Sequence, residues 1–212
     1  MTTSVPVDST IIERAVEILR RGGLVAYPTD TVYGLAALPT DARAVQRLFE
    51  TKNRSPDRVV SLLIASPADV ALVATEVPEE AQRLMSAFWP GALTIVLQKA
   101  SSFPADAVGE TVALRVPDHP VPRELARLLG APITGTSATV SGGPEPLTAD
   151  DARSQLGDAV DLVIDGGRCP GGQPSTVVDY TVTPPRIVRE SAISREELAR
   201  TAGAKFSQEP PT

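Results

Sequence analysis

Histidine and cysteine are almost missing from this chain: His119 and Cys169 are the only ones among its 212 residues. A single cysteine excludes an intramolecular disulfide. In GGRCPGGQP it has neither a second cysteine nor a nearby histidine with which to share a metal, so Cys169 reads as a loop thiol. A Ser-His-Asp or Cys-His triad would have to use His119, yet that residue sits between prolines in RVPDHPVP, where a turn or a helix start is the natural role. No apolar run approaches the roughly 20 residues that span a bilayer. The start MTTSVPVDST has neither the basic opening nor the apolar centre of a signal peptide, and a cytoplasmic protein without membrane contact is expected. Neither the P-loop pattern nor the dinucleotide pattern G-x-G-x-x-G occurs, which removes support for a P-loop kinase or a Rossmann oxidoreductase. Net positive charge is absent too: 20 Lys plus Arg against 26 Asp plus Glu leave a formal charge of −6, which excludes a generally basic surface for coating polyanions.

Chemistry is left to carboxylates, hydroxyls, Lys, Arg and backbone amides, a set suited to holding and polarising an anionic substrate. At 42% hydrophobic, the chain is long enough for one generous core. We read residues 1–203 as a single domain and 204–212 as a frayed tail. Apolar spacing predicts helices after Asp8–Ser9, after Asp41, at Pro67–Val73, Pro78–Phe88, Pro122–Leu129, Ala149–Leu156 and Arg195–Ala202. Strands are expected at LVAYP, VVSLLI, ALTIVLQ, TVALRV, DLVID, TVVDY and RIVR. Some neighbouring strands are joined by helices and others by short loops. The fold class is therefore α/β (α+β): one twisted mixed sheet of about seven strands with helices on its faces.

Against the acidic background, LFETKNRSPDRVV crowds Lys52, Arg54 and Arg58 into seven residues at a helix-to-strand junction. Three other segments, PTDTVYGL, GTSATVSGG and GGRCPGGQPSTVVD, gather hydroxyls and glycines beside apolar strands. Any one of them alone is a plausible turn, and a cation cluster alone is usually a solvated helix end. Together they fit the way ligand sites gather at converging strand ends, where hydroxyls and glycine N–H groups surround phosphate oxygens.

These pieces, with FWPGALTIVL, TVALRVPDHP and PSTVVDY in that order from about Gly23 to Ser194, resemble the YrdC/Sua5 family of threonylcarbamoyl-adenylate synthases in its short, single-domain form. The resemblance implies a YrdC-like fold. It also implies formation of threonylcarbamoyl-AMP and pyrophosphate from ATP with Mg²⁺, bicarbonate and L-threonine, on the way to N6-threonylcarbamoyladenosine of tRNA. Downstream threonylcarbamoyl transferase proteins would take the product, and contact with tRNA or double-stranded RNA is a further implied partner. No structural metal is implied. Carried onto matching positions, ATP contacts fall on Lys52, Arg54, Arg58, Thr111, Ser137 and Arg189, with Lys52 and Arg54 catalytic. Threonine contacts fall on Thr31, Arg115, Gly135 and Ser175, Arg115 gripping the carboxylate through two parallel hydrogen bonds. Asp30 would support Thr31 or take a proton.

The sequence departs from the family pattern at four places. Thr139 stands for the Asn of an SxN triplet, and Glu190–Ser191 follow Arg189 where Pro-Gly is usual. Leu63 replaces a histidine found in some relatives, and Glu145 a serine. The resemblance leaves two other readings: an RNA-binding module of the same fold with little catalysis, and a carbamoyl-adenylate-forming enzyme.

Overall fold

The structure, a computed structural model, describes residues 7–55, 60–105 and 108–207. Asp8 accepts from the Thr10 N–H at 3.0 Å and opens helix α1 (Ser9–Arg20), whose buried residues Ile12, Ala15, Val16 and Leu19 recur at helical spacing. Gly22, at φ +80°, ends it in left-handed geometry, and the Gly23 N–H returns to the Ile18 carbonyl at 2.9 Å. The remaining helices are α2 (Ala42–Thr51), α3 (Val70–Val73), α4 (Glu79–Phe88), α5 (Pro120–Leu129), α6 (Ala149–Leu156) and α7 (Arg195–Ala202). The helix expected at Pro67–Val73 divides into a 3-10 turn at Pro67–Asp69 and the short α3. No helix among the described residues is long and apolar enough to cross a membrane.

The strands form two sheets rather than one. In the first, β1 (Val25–Tyr27) lies between antiparallel β2 (Gly34–Ala36) and parallel β8 (Leu162–Val163), and β7 (Thr136–Ser137) adds to β2. The second runs β10 (Arg186–Arg189), β9 (Thr176–Asp179), β4 (Leu93–Gln98), β5 (Thr111–Arg115), β3 (Ser61–Leu63), β6 (Ile133–Thr134). It mixes parallel pairs, β3 with β5 and β4 with β9, with antiparallel ones. Strands β6 and β7 are separated only by Gly135, so the chain steps from one sheet to the other at that glycine. A side chain there would place its Cβ 2.8 Å from Leu63 Cδ2. The expected strand count falls short because β2, β6 and β7 have two or three residues each, inside glycine- and hydroxyl-rich segments too short to show an alternation.

Period-2 alternation across the six-stranded sheet separates a core face from an open one. Leu62, Leu93, Ile95, Leu97, Val112, Leu114, Val178 and Ile187 pack into one apolar cluster with residues of α4 and α7. Full burial of each large side chain contributes about 1.5–3 kcal/mol. On the opposite face one row is continuous in register: Ser61 beside Ala113, Ala113 beside Val96, Val96 beside Asp179, Asp179 beside Arg186. Next to it Leu63 pairs with Arg115, Thr94 with Val177, and Val177 with Arg189. This second face is the floor of a cleft.

The tail expectation is corrected at its start. Phe206 is buried and meets Tyr180 edge-on, with ring centroids 6.5 Å apart, and Ser207 pairs with Arg186. Residues 208–212 lie outside the described residues.

Candidate active site

Helix α2 ends in the KNR run. Lys52 is the C-cap, Asn53 takes φ +47°, and the Arg54 N–H returns to the Phe49 carbonyl at 3.0 Å. This left-handed ending is normally given to glycine, and asparagine is among the few other residues that enter it readily. The reversal brings both cations to the β7 segment. Arg54 Nη1 donates to Thr136 Oγ1 at 3.1 Å, while the Lys52 ammonium donates to the main-chain carbonyls of Ser137 and, at 2.6 Å, Thr139. Lys52 is only 2% exposed. Its burial, reinforced by the Arg54 charge, pushes its pKa down to about 8.

A cleft of about 1090 Å³ opens between the floor of the six-stranded sheet and the hydroxyl-rich loops. Of the residues expected at ATP, Lys52, Arg54, Thr111, Ser137 and Arg189 line it. Arg58 lies outside the described residues. The four expected at threonine, Thr31, Arg115, Gly135 and Ser175, line the same cleft.

Arg115, at the end of β5, is held from behind. Its Nε donates to the Gly91 carbonyl at 2.8 Å and its Nη2 to Asp30 Oδ2 at 2.6 Å, with side chains only 11% and 15% exposed. Asp30 therefore braces Arg115. Thr31 is organised instead by Thr29, whose Oγ accepts from the Thr31 N–H at 3.0 Å and lies 3.1 Å from Thr31 Oγ. With Nε and one Nη2 hydrogen engaged, the Nη1 side of Arg115 is the part these two contacts leave for a ligand carboxylate.

Across the floor, Ser175 Oγ shares a hydrogen bond with Thr94 Oγ1 at 2.8 Å and accepts from Arg189 Nη2 at 3.2 Å, while Arg189 Nε donates to the Ser175 carbonyl at 2.9 Å. Burial, with the Arg115 charge nearby, holds the Arg189 guanidinium below the usual arginine range. Two guanidiniums and two hydroxyls thus share one end of the cleft, an arrangement suited to anionic oxygens.

The departures from the family pattern resolve locally. The Glu190 carboxylate accepts from the Arg195 N–H at 2.8 Å, at the start of α7, so this contact engages it at the helix rather than with Arg189. The Thr139 hydroxyl is turned to Gln155 of α6 and to the Val140 carbonyl. Leu63 is buried against Gly135 and lines the cleft, as does Glu145. His119 Nδ1 accepts from the Val121 N–H at 3.2 Å and caps α5, a role for the neutral ring that burial favours by lowering its pKa. Cys169 is buried among apolar residues, and that burial raises its thiol pKa.

Other cleft residues escaped the sequence reading. Thr94, Asp179, Thr181 and Arg186 lie on its floor or rim. Asp179 accepts from the Thr181 N–H at 2.9 Å and from Arg186 Nη2 at 3.1 Å. The signal was present in LTIVLQ and TVVD, where Thr94 and Asp179 alternate with core residues.

Two mixed sheets joined at a glycine step, with a cationic, hydroxyl-lined cleft over the larger, define an α/β protein whose cleft chemistry suits anionic groups. The Sua5/YciO/YrdC family model, described as "Telomere recombination", matches residues 17–191, and the chain belongs to that family. Threonylcarbamoyl-AMP synthase of Pyrococcus abyssi is 40% identical over 194 residues, covering 91% of this chain and 57% of that protein. A putative threonylcarbamoyl-AMP synthase of Mycobacterium tuberculosis H37Rv is 42% identical over 195 residues, covering 91% of this chain and 89% of that protein. The crystal structure of P. abyssi Sua5 complexed with L-threonine has a TM-score of 0.88 at 38% identity, over 95% of this chain and 60% of that one. E. coli YciO has a TM-score of 0.79 at 29% identity, over 91% and 97%. The chain thus spans a little over half the length of the Pyrococcus relative and nearly all of the Mycobacterium one.

Proposed function

We propose that the chain is an L-threonylcarbamoyladenylate synthase, forming threonylcarbamoyl-AMP, pyrophosphate and water from Mg·ATP, bicarbonate and L-threonine. The observation that carries this reading is the convergence in one cleft of two groups of residues. Arg115, Ser175, Thr31 and the Gly135 backbone suit a zwitterionic amino acid with a hydroxyl. Arg54, Ser137, Thr111 and Arg189 suit a nucleotide. The naming of relatives at about 40% identity, and threonine bound in the P. abyssi structure, support the same assignment.

On this reading the neutral threonine amine attacks bicarbonate-derived carbon, and the carbamate then attacks the α-phosphorus as pyrophosphate leaves. Nucleophile and electrophile are both anionic. Guanidiniums from opposite walls offset that repulsion, and a semi-enclosed site keeps water from the mixed anhydride. Mg²⁺ enters with the triphosphate as part of the substrate. The product passes to transferase proteins acting on tRNA in the cytoplasm.

Pyrophosphate release, with threonine and bicarbonate omitted in turn, tests the assignment: release is expected only when both are present. Arg54→Ala is expected to remove it while leaving the fold intact. Release that proceeds without threonine, or wild-type turnover by Arg54→Ala, overturns the reading.

A further inference from the structure

We propose that Lys52 is the positioning residue of segment Ser137–Ser141, standing in for a missing strand at the edge of the four-stranded sheet, and is not itself a ligand of the triphosphate. The kinetic part of this inference rests on the synthase reading; the structural part does not.

Strand β7 is an edge strand, paired with β2 on one side only. On that side β7 pairs with β2, and just beyond it the Ala138 N–H donates to the Tyr33 carbonyl at 2.7 Å. Neighbouring residues of a strand direct their carbonyls to opposite sides, so that of Ser137 faces the unpaired side; the chain then bends at residues 138–139, and the Thr139 carbonyl meets the same ammonium. A bare edge carbonyl is costly when buried. The Lys52 ammonium donates to both carbonyls, and the Lys52 main-chain carbonyl accepts from the Ser141 N–H at 2.8 Å. One residue therefore ties the segment at three points.

The segment needs such a tie. It belongs to no helix, β7 is only two residues long, and Gly142 and Gly143 follow directly, the first at φ +81°. Two carbonyl oxygens near Arg54 would also repel a bound phosphate. An ammonium covering them removes that repulsion while Arg54 and Ser137 face the cleft. Lysine suits the task because three rotatable donors on a point charge can serve two carbonyls at once.

The test is amide hydrogen exchange in the ligand-free full chain, with steady-state kinetics alongside. Lys52→Met is expected to speed exchange at Ser141 by about tenfold or more, the consequence of losing charge-assisted hydrogen bonds. Arg54→Ala is expected to leave that exchange within about twofold, because Arg54 meets the side chain of Thr136 rather than these carbonyls. The KM for ATP of Lys52→Met rises more than its kcat falls, and Lys52→Arg, which keeps the charge and N–H donors in a fixed planar fork, recovers part of both readouts. Unchanged Ser141 exchange in Lys52→Met overturns the proposal and returns Lys52 to the triphosphate. Should Lys52→Met fail to fold, Lys52→Gln, whose shorter and uncharged side chain keeps only an amide NH₂, is measured in the same way against the same outcomes. A wild-type chain with no ATP turnover would defeat the synthase reading while the exchange comparison still decided the role of Lys52.

Discussion

Asp30→Ala separates the brace of Arg115 from the cleft it supports. Asp30 and Arg115 meet at 2.6 Å with side chains 15% and 11% exposed, so solvent screens the pair little. Removing one partner of a buried pair leaves an uncompensated charge and costs about 3–5 kcal/mol. The lower end applies here: Asp30 Oδ1 is buried without a hydrogen-bond partner, so the intact pair already carries part of its desolvation cost. Arg115 Nε also keeps the Gly91 carbonyl. A loss of about 3 kcal/mol in a chain of this size lowers Tm by roughly 6–12 °C. Urea unfolding measures the stability, and initial rates at varied threonine and ATP measure the site. The KM for threonine is expected to rise about tenfold or more as the guanidinium loses its orientation, with the KM for ATP little changed. Asp30→Asn, which keeps the volume and one acceptor, should fall between wild type and Asp30→Ala. A stability loss under about 1 kcal/mol together with an unchanged threonine KM would falsify the bracing role.

The pKa of Lys52, near 10.5 in the unfolded chain and pushed down to about 8 when folded, makes a pH prediction. Between those values the unfolded chain holds a proton that the folded one has released, so this group makes stability rise with pH, by up to about 1.4 kcal/mol per unit. Urea midpoints of wild type and Lys52→Met at pH 8 and 9.5 should diverge accordingly; parallel curves would show that the two carbonyls keep the buried ammonium charged over this range. Gly135→Ala drives a Cβ to 2.8 Å from Leu63 Cδ2 at the step between the sheets. It should cost about 1–3 kcal/mol, and Leu63→Ala in the same chain should restore part of that loss in thermal melts. Ser175→Ala removes the hydroxyl shared by Thr94 and Arg189. A drop in kcat/KM for threonine of about tenfold or more is expected, and wild-type kinetics would place Ser175 outside the substrate contacts.

The main elements were legible wherever a long apolar period carried them. Asp8 and Asp41 open helices as their sequence positions suggested, the helix expected at Arg195–Ala202 is present, and LTIVLQ and TVALR form the centre of the larger sheet. What failed was the count of sheets, because the strands that close the smaller one are too short to show alternation, and their glycines and hydroxyls were assigned to ligand loops. Those segments supply short strands and also line the cleft. Thr134 and Thr136 are buried strand residues, and Gly135 between them turns the chain into the cleft. The same double use explains the KNR run. Read by charge alone, Lys52 and Arg54 are equivalent cations; read by geometry, Asn53 in a left-handed helix ending divides them, one into the protein and one toward the cleft wall. The family resemblance implies that both meet phosphate, but only the burial of Lys52 against two main-chain carbonyls shows that its charge is already engaged by the fold. In a chain with so few special residues, function therefore depends on which ordinary cations the backbone leaves to the ligand, and that is settled by edge-strand hydrogen bonding rather than by composition.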